Sequence, residues 1–309
     1  MTAKSNYLLA LVICCFFSVS CQNNAANPTK TSFEVLNSKE FVFIPETDTN
    51  QYYFAWQESY DYHTALCNNV FPPEGYKRIT LVSNSFGDWL RHLPLNLKDN
   101  TVYLFSGEEK TNQSAQHAII NIDVGTKDLQ QCADAVMRLR AEYLYATKQF
   151  DKITFNYTNG LKIPFKKWSE GYYPQLKGNK VVWINSSQNN GSYTSFRKYM
   201  DNIFTYAGTA SLSKELKHVT LKELAVGDVF IKGGFPGHAV IVVDVAFHPT
   251  TNDKLFLLAQ SYMPAQSIHI LNNPNNDTLS PWYSLSQVNE ELSTPEWVFS
   301  SDALMRFID

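Results

Sequence analysis

The sequence lacks the motifs of the most common catalytic and nucleotide-binding sites. It contains no H-E-x-x-H, C-x-x-C or G-x-S-x-G, no G-x-x-x-x-G-K-[ST] phosphate loop and no G-x-G-x-x-G. Zinc protease, α/β-hydrolase, P-loop and dinucleotide-binding functions are therefore without support. The seven histidines are scattered along the chain and form no spaced ligand set, so we expect no metal ion and no other cofactor.

The sequence also lacks a strong excess of either charge. Its 26 basic and 29 acidic residues give a formal net charge of −3. Proteins that bind nucleic acid usually present a positive surface to the phosphates. We therefore expect no nucleic-acid partner.

The apolar run near the amino end differs from the rest of the sequence. Lys4 precedes it, residues 7–19 are mostly apolar, and the small residues 18–20 come directly before Cys21. This order predicts a signal peptide over residues 1–20, since the run is too short to span a bilayer comfortably. Its end resembles a bacterial lipobox, which implies that Cys21 is lipidated and becomes the mature amino terminus.

The segment after Cys21 is polar and contains three asparagines. We expect residues 21–32 to form a flexible tether and residues 33–309 to form one globular domain, because no later linker marks a boundary. The expected location is the bacterial cell envelope. There the lipid on Cys21 would hold the protein on a membrane, and we expect the outer membrane with the domain facing the periplasm.

Cysteine is scarce in the mature chain. Cys14 and Cys15 belong to the predicted signal peptide and Cys21 to the lipid anchor, which leaves Cys67 and Cys132. In an oxidising compartment these two thiols would be able to pair in a disulfide. Cys132 on an apolar helix face would also be an ordinary core residue. A third possibility is that Cys132 is a free nucleophile.

The clearest helix is predicted over residues 128–148, with Asp128 as its N-cap. Its apolar positions recur at helical spacing; they are Leu129, Cys132, Val136, Leu139 and Tyr143. Cys132 would then lie near the helix start, where unpaired N–H groups favour a thiolate. This position suits a nucleophile.

Residues 227–246 read as two strands joined by a Gly/Pro-rich turn, and His238 starts the second strand. Gln260 lies near the end of the next predicted strand. An imidazole can accept the proton of a thiol, while a third polar group orients the ring. We therefore expect Cys132 as the nucleophile, His238 as the base and Gln260 as the orienting group.

Two further choices remain open from the residues alone. Gln130 and Gln131 precede the cysteine, and either side chain would be able to donate to an oxyanion. His117, on a predicted strand before the helix, is an alternative imidazole partner for Cys132.

These segments are similar to the papain-like cysteine hydrolases of bacterial envelopes, the CHAP and NlpC-type families. Gln131-Cys132-Ala-Asp-Ala resembles the start of their nucleophile helix, and Gly227-Asp-Val with Gly-His238-Ala-Val-Ile-Val-Val resembles their hairpin. Gln260 lies where the third catalytic residue of these families comes, on the strand after the histidine. The resemblance implies an α+β fold in which a cysteine-bearing helix packs on an antiparallel sheet, with insertions. It also implies an amidase or endopeptidase acting on cell-wall peptide or another envelope amide.

A second resemblance covers most of the mature chain. Arg91-His-Leu-Pro-Leu, the helix around Cys132, the hairpin at residues 227–246, Gln260-Ser-Tyr-Met-Pro-Ala-Gln and Thr294-Pro-Glu-Trp are similar to the bacterial domain-of-unknown-function family 4846. Members of that family are typically exported or lipid-anchored. The resemblance implies no reaction.

The alternative function is non-catalytic binding. The sequence holds 20 Phe, 17 Tyr and 6 Trp, and exposed aromatic rings can bind glycans or a protein partner. The candidate binding residues are Trp168, Tyr172, Tyr173, Trp282 and Tyr283.

Overall fold

The computed structural model describes residues 52–308; the predicted signal peptide, Cys21 and the tether lie outside these residues. Six helices are present in the described part: α1 Leu66–Asn69, α2 Phe86–Arg91, α3 Cys132–Ala146, α4 Phe165–Ser169, α5 Tyr193–Tyr206 and α6 Thr209–Glu215. The strands there are β1 Lys77–Arg78, β2 Gln116–Ile119, β3 Thr154–Asn156, β4 Lys162–Pro164, β5 Tyr172–Lys177, β6 Lys180–Asn185, β7 Lys217–His218, β8 Val229–Lys232, β9 His238–Phe247, β10 Lys254–Gln260, β11 His269–Leu271, β12 Tyr283–Ser284, β13 Glu291–Ser293, β14 Val298–Ser300 and β15 Leu304–Arg306.

A nine-stranded antiparallel sheet organises the fold. Its main path runs β2-β11-β10-β9-β8-β15-β7, while β1 also pairs with β9 and β12 with β10. Three two-stranded hairpins, β3-β4, β5-β6 and β13-β14, lie outside it. The expected α+β class with an antiparallel sheet is thereby confirmed.

Strand β9 lies at the centre of this sheet and buries apolar side chains on both faces. Ala239, Ile241 and Val243 belong to the same buried cluster as the apolar face of α3. Val240 and Val242 point the other way, into a second cluster that contains Phe299 of β14 and Tyr283 of β12. Each fully buried aliphatic side chain contributes about 1.5–3 kcal/mol. Burial on both faces therefore fixes the register of β9 and, with it, the position of His238 at its start.

Helix α3 begins later than the sequence predicted. It starts at Cys132, and the Asp134 carboxylate accepts a hydrogen bond from the backbone N–H of Gln131 at 3.1 Å. The prediction of Asp128 as the N-cap was wrong, because its Oδ1 instead accepts from the backbone N–H of Ala265 at 2.7 Å. A tertiary hydrogen bond replaces the local cap, which places Cys132 at the first helical position.

A buried ionic network ties α3 to its neighbours. Arg138 Nε lies 2.6 Å from Glu142 Oε1, and neither side chain is exposed to solvent. Arg138 also donates to Gln130 Oε1 at 2.7 Å and to Asp123 Oδ1 at 3.0 Å. The Tyr193 hydroxyl of α5 donates to Glu142 at 2.9 Å. These contacts fix the chain immediately before Cys132.

Within residues 52–308, every helix is too short or too polar to cross a membrane.

Candidate functional site

Cys132 and His238 line one pocket, although they are far apart in the sequence. The cavity has a volume of about 560 Å³ and lies where the start of α3, the start of α6 and the turn before β9 meet. Cys132 is 7% exposed and His238 is 2% exposed. The fold therefore brings together the thiol and the imidazole that the sequence singled out.

Tight packing positions the turn before His238. At Gly237 a Cβ atom would lie 2.4 Å from Thr209 Oγ1 and 2.7 Å from the carbonyl oxygen of Lys232. No side chain fits that space, so the glycine is required for the close approach of this turn to α6. His238 then pairs with Lys232 at the turn end of the β8–β9 hairpin.

A chain of hydrogen bonds orients the imidazole. His238 Nε2 lies 2.8 Å from Gln260 Oε1, and Gln260 Nε2 donates to Glu296 Oε2 at 3.0 Å. Lys110 Nζ lies 2.6 Å from the same carboxylate oxygen. A carboxylate only accepts, so the amide nitrogen of Gln260 faces Glu296 and its oxygen faces the ring. His238 Nε2 therefore carries the proton, and Nδ1 is left with the lone pair of a base.

A second buried imidazole lies beside this chain. His269 Nε2 is 3.4 Å from Gln260 Nε2, and its Nδ1 is 2.9 Å from the carbonyl oxygen of Ser267. That carbonyl holds the proton on Nδ1, so Nε2 of His269 faces the amide nitrogen as an acceptor. His269 thus supports the same orientation of Gln260.

Burial keeps His238 neutral. Loss of solvation lowers the pKa of His238 to about 4, against the opposing effects of the Gln260 hydrogen bond and the Glu296 charge. The imidazole is therefore uncharged near neutral pH and able to accept a proton.

The thiol of Cys132 is also neutral at rest. Its pKa is raised to about 11, first by burial and then by the nearby Asp134 charge, against the lowering effect of hydrogen bonding from the backbone at Ala133 and Ala239. The sulfur therefore lies beside the first residues of β9. Among residues 52–308 no direct hydrogen bond joins Sγ to His238. Catalytic hydrogen bonds in empty sites are commonly long and shorten when substrate binds.

The two glutamines before the cysteine have different positions. Gln131 lines the pocket, and its Nε2 donates to Asp128 at 3.0 Å. Gln130 is held by Arg138 and lies away from the pocket, so its side chain is not placed to donate to an oxyanion there. The backbone N–H of Cys132 is a further donor, because the first helical residues have no acceptor within their own helix.

Neither of the two alternatives for Cys132, the His117 imidazole and a disulfide to Cys67, is found at the pocket. His117 is exposed on β2, which pairs only with β11 in the described sheet, and does not line the cavity. Both Cys67 and Cys132 are free thiols. Hence neither alternative engages the thiol of Cys132.

Three of the five candidate binding aromatics are not exposed. Trp168, Trp282 and Tyr283 are each at most 2% exposed. Trp168 Nε1 donates to Ser195 Oγ at 3.0 Å, and Trp282 Nε1 donates to the carbonyl oxygen of Phe71 at 2.9 Å. The expectation of an exposed face fails for them because their rings fill the core. Tyr172 is exposed and Tyr173 is partly buried.

Three further residues belong to the site and were not predicted from the sequence. Glu296 fixes Gln260, Trp297 packs its ring 5.4 Å from that of His238, and Asp134 lines the pocket. Glu296 and Trp297 belong to the Thr294-Pro-Glu-Trp motif, and the glutamate directly before the tryptophan was the available signal. Within residues 52–308 no three His, Cys, Asp or Glu side chains are grouped to hold a metal ion.

Comparison with known proteins gives one match. The model of a family described as "Domain of unknown function (4846)" matches residues 66–306. Neither the curated proteins nor the solved structures contain a significant match to the chain.

Proposed function

The chain belongs to the domain-of-unknown-function family 4846, and we propose that this member is a papain-like cysteine hydrolase that cleaves an amide bond. One observation carries the proposal. The hydrogen bond from His238 to Gln260 leaves Nδ1 as a base in the same pocket as Cys132. A cysteine at a helix start, a histidine at a strand start and an amide side chain on the next strand are the parts that such a reaction needs.

The reaction begins as Sγ of Cys132 attacks the carbonyl carbon. A C–S bond forms while the thiol proton moves to Nδ1 of His238, so the two charges appear together and stabilise each other. The imidazolium then gives its proton to the leaving nitrogen, and the C–N bond breaks. Water next attacks the thioester and loses a proton to Nδ1. The C–S bond breaks, and the proton returns to sulfur.

Two donors are available for the oxyanion. The backbone N–H of Cys132 has no acceptor within its own helix, and Gln131, whose side chain can donate through Nε2, lines the same pocket. One such donor contributes about 3–4 kcal/mol of transition-state stabilisation in other hydrolases. Gln131 is therefore the side chain assigned to this role.

We expect substitution of Cys132 by serine to abolish amide cleavage. A hydroxyl is a much weaker nucleophile beside a neutral imidazole, while its volume is close to that of the thiol. The test incubates residues 22–309 and the Cys132→Ser variant with purified peptidoglycan and identifies new amino and carboxyl ends by mass spectrometry. Cleavage by the wild type alone supports the proposal. Equal cleavage by both proteins would refute it.

The proposed location is the cell envelope, with a membrane anchor on Cys21. Each buried methylene of an acyl chain contributes about 0.8 kcal/mol to membrane binding. In a bacterial host, the mature protein should begin at Cys21 and carry acyl mass, and Cys21→Ala should release it from the membrane fraction. An unmodified amino terminus at another residue would show an ordinary secreted protein.

A further inference from the structure

The pocket that holds Cys132 has no positive side chain on its wall. In the described part of the chain, the charged residues lining it are Asp128 and Asp134, and no lysine or arginine lines it. His238 is neutral there because burial lowers its pKa to about 4. The two carboxyl groups and the absence of a positive side chain make this wall more favourable for a cationic group than for an anionic one.

Asp134 has an oxygen without a partner. Its side chain is 6% exposed, and Oδ2 accepts the hydrogen bond from the backbone N–H of Gln131. Oδ1 is buried and has no hydrogen-bond partner among the described residues. A buried acceptor left in this state costs about 1–3 kcal/mol, which a hydrogen-bond donor on a ligand would offset.

Asp134 also lies close to the reacting sulfur. It comes two residues after Cys132 in the first turn of α3, and its charge contributes to the raised pKa of the thiol. Burial raises the pKa of Asp134 itself well above its usual range. A cation beside Oδ1 would reverse that effect, because an opposite charge favours the ionised carboxylate. Binding of a cation and ionisation of Asp134 therefore support each other.

The rim of the pocket is apolar. Phe235 is 93% exposed and Met263 is 59% exposed, and both line the opening. Such a rim suits the carbon skeleton of an organic ligand better than a hydrated metal ion. The rim therefore favours an organic ammonium group over a metal ion as the cation that this pocket would take.

We propose that the carboxylate of Asp134 binds a primary ammonium group of the substrate close to the scissile carbonyl, with Asp128 adding negative charge at the same pocket. This inference rests on the proposed function, since it names the substrate class of the same site. The enzyme would act on acyl groups that carry a free amine, such as the amino-terminal residue of a peptide or a diamino acid. Amine-blocked and anionic acyl groups would be poor substrates.

The test uses matched alkylating probes. Alanyl and glycyl-alanyl chloromethyl ketones are each prepared with a free amine and with an N-acetyl group. Sγ of Cys132 forms a bond to the methylene carbon as chloride leaves, and the thiol proton passes to His238. Intact-mass spectrometry follows the rate against probe concentration at about pH 7, with the free-amine concentration of each probe determined. Peptide mapping confirms modification of Cys132.

In the wild type, one free-amine probe should react roughly 10-fold faster or more than its acetylated match, the scale of a hydrogen bond to a charged group. Asp134→Asn keeps the oxygen that caps the helix but presents an amide where the acceptor was. This variant should lose the preference, so that the free-amine and acetylated members of each pair react at rates within about twofold of each other.

The outcomes separate the two proposals. Equal rates for both members of each probe pair in the wild type would overturn the amine site and leave the cysteine hydrolase standing. Retention of the preference in Asp134→Asn would also overturn it. Failure of all four probes to modify Cys132 would overturn the hydrolase and the amine site together. If Asp134→Asn does not fold, the rates of the free-amine and acetylated probes on the wild type alone decide whether the amine site exists.

Discussion

Replacement of His238 by alanine should slow the alkylation of Cys132 by iodoacetamide at about pH 7 by roughly 10²–10⁴-fold, the usual contribution of a positioned base. Without His238, no imidazole among residues 52–308 lines the pocket to accept the proton on Sγ. The pKa of the thiol, raised by burial to about 11, then leaves very little thiolate to react. The measurement is the rate of adduct formation at Cys132, followed by peptide mass spectrometry.

His117→Ala is the matched control, because that imidazole is exposed on β2 and does not line the pocket. Its alkylation rate should equal that of the wild type. Circular dichroism of both variants separates a lost base from a lost fold. A His238→Ala protein that is folded and labels as fast as the wild type would show that His238 is not the base.

Replacement of Arg138 by methionine should lower the free energy of unfolding by about 3–5 kcal/mol, since removing one partner leaves the other charge buried. Glu142, which is not exposed, would lose its 2.6 Å contact to Arg138 Nε. Gln130 would lose the hydrogen bond that holds the chain before Cys132. Urea unfolding, followed by tryptophan fluorescence, measures the change.

The loss in free energy of unfolding caused by Arg138→Met should increase with pH. Desolvation already raises the pKa of Glu142, even with Arg138 beside it. Without the guanidinium the carboxyl pKa rises further, and a raised carboxyl pKa destabilises the native state as pH increases through it. The loss caused by Arg138→Met should therefore be smaller near pH 5 than near pH 8.

Lys166→Met provides the comparison for an exposed pair. Lys166 and Asp151 lie 2.9 Å apart, but their side chains are 59% and 75% exposed. Exposed pairs usually contribute no more than about 1 kcal/mol. An Arg138→Met protein that unfolds at the same urea concentration as Lys166→Met would show that the buried network does not stabilise the fold.

The sequence predicted the central strands well because their pattern is strong. Residues 238–246 were expected as a strand and β9 is His238–Phe247, while the next predicted strand corresponds to β10, Lys254–Gln260. Runs of valine, isoleucine and leucine next to a glycine-rich turn allow few other structures. The start of α3 was misplaced by four residues because Asp128 is a good cap by composition and its bond to Ala265 is tertiary.

The site was also predictable only in part, because several of its contacts join segments that are distant in the sequence. Cysteine, histidine and glutamine at the ends of elements were visible in the sequence, and the fold places Cys132 and His238 at one pocket. The roles of Glu296 and Asp134 depend on contacts between distant segments. Spacing alone also gave no means to separate Gln130, which faces Arg138, from Gln131, which lines the pocket. The buried aromatics show that a heavy aromatic content does not predict an exposed face.

The most direct test compares the two free thiols of the folded wild-type protein. Burial raises the pKa of Cys67 and of Cys132 alike, to about 11 in each case. Cys132 shares its pocket with His238, whereas the contact of the Cys67 sulfur is Asn68 Oδ1 at 3.9 Å. Iodoacetamide labelling of both thiols, followed from about pH 5 to about pH 9, therefore isolates the effect of the base.

We expect Cys132 to label far faster than Cys67, at a nearly constant rate over this range. The plateau follows because His238, with a pKa lowered to about 4, is neutral throughout it. Rates for both thiols that rise together by about tenfold per pH unit would contradict the account, since that slope is the signature of simple thiolate formation.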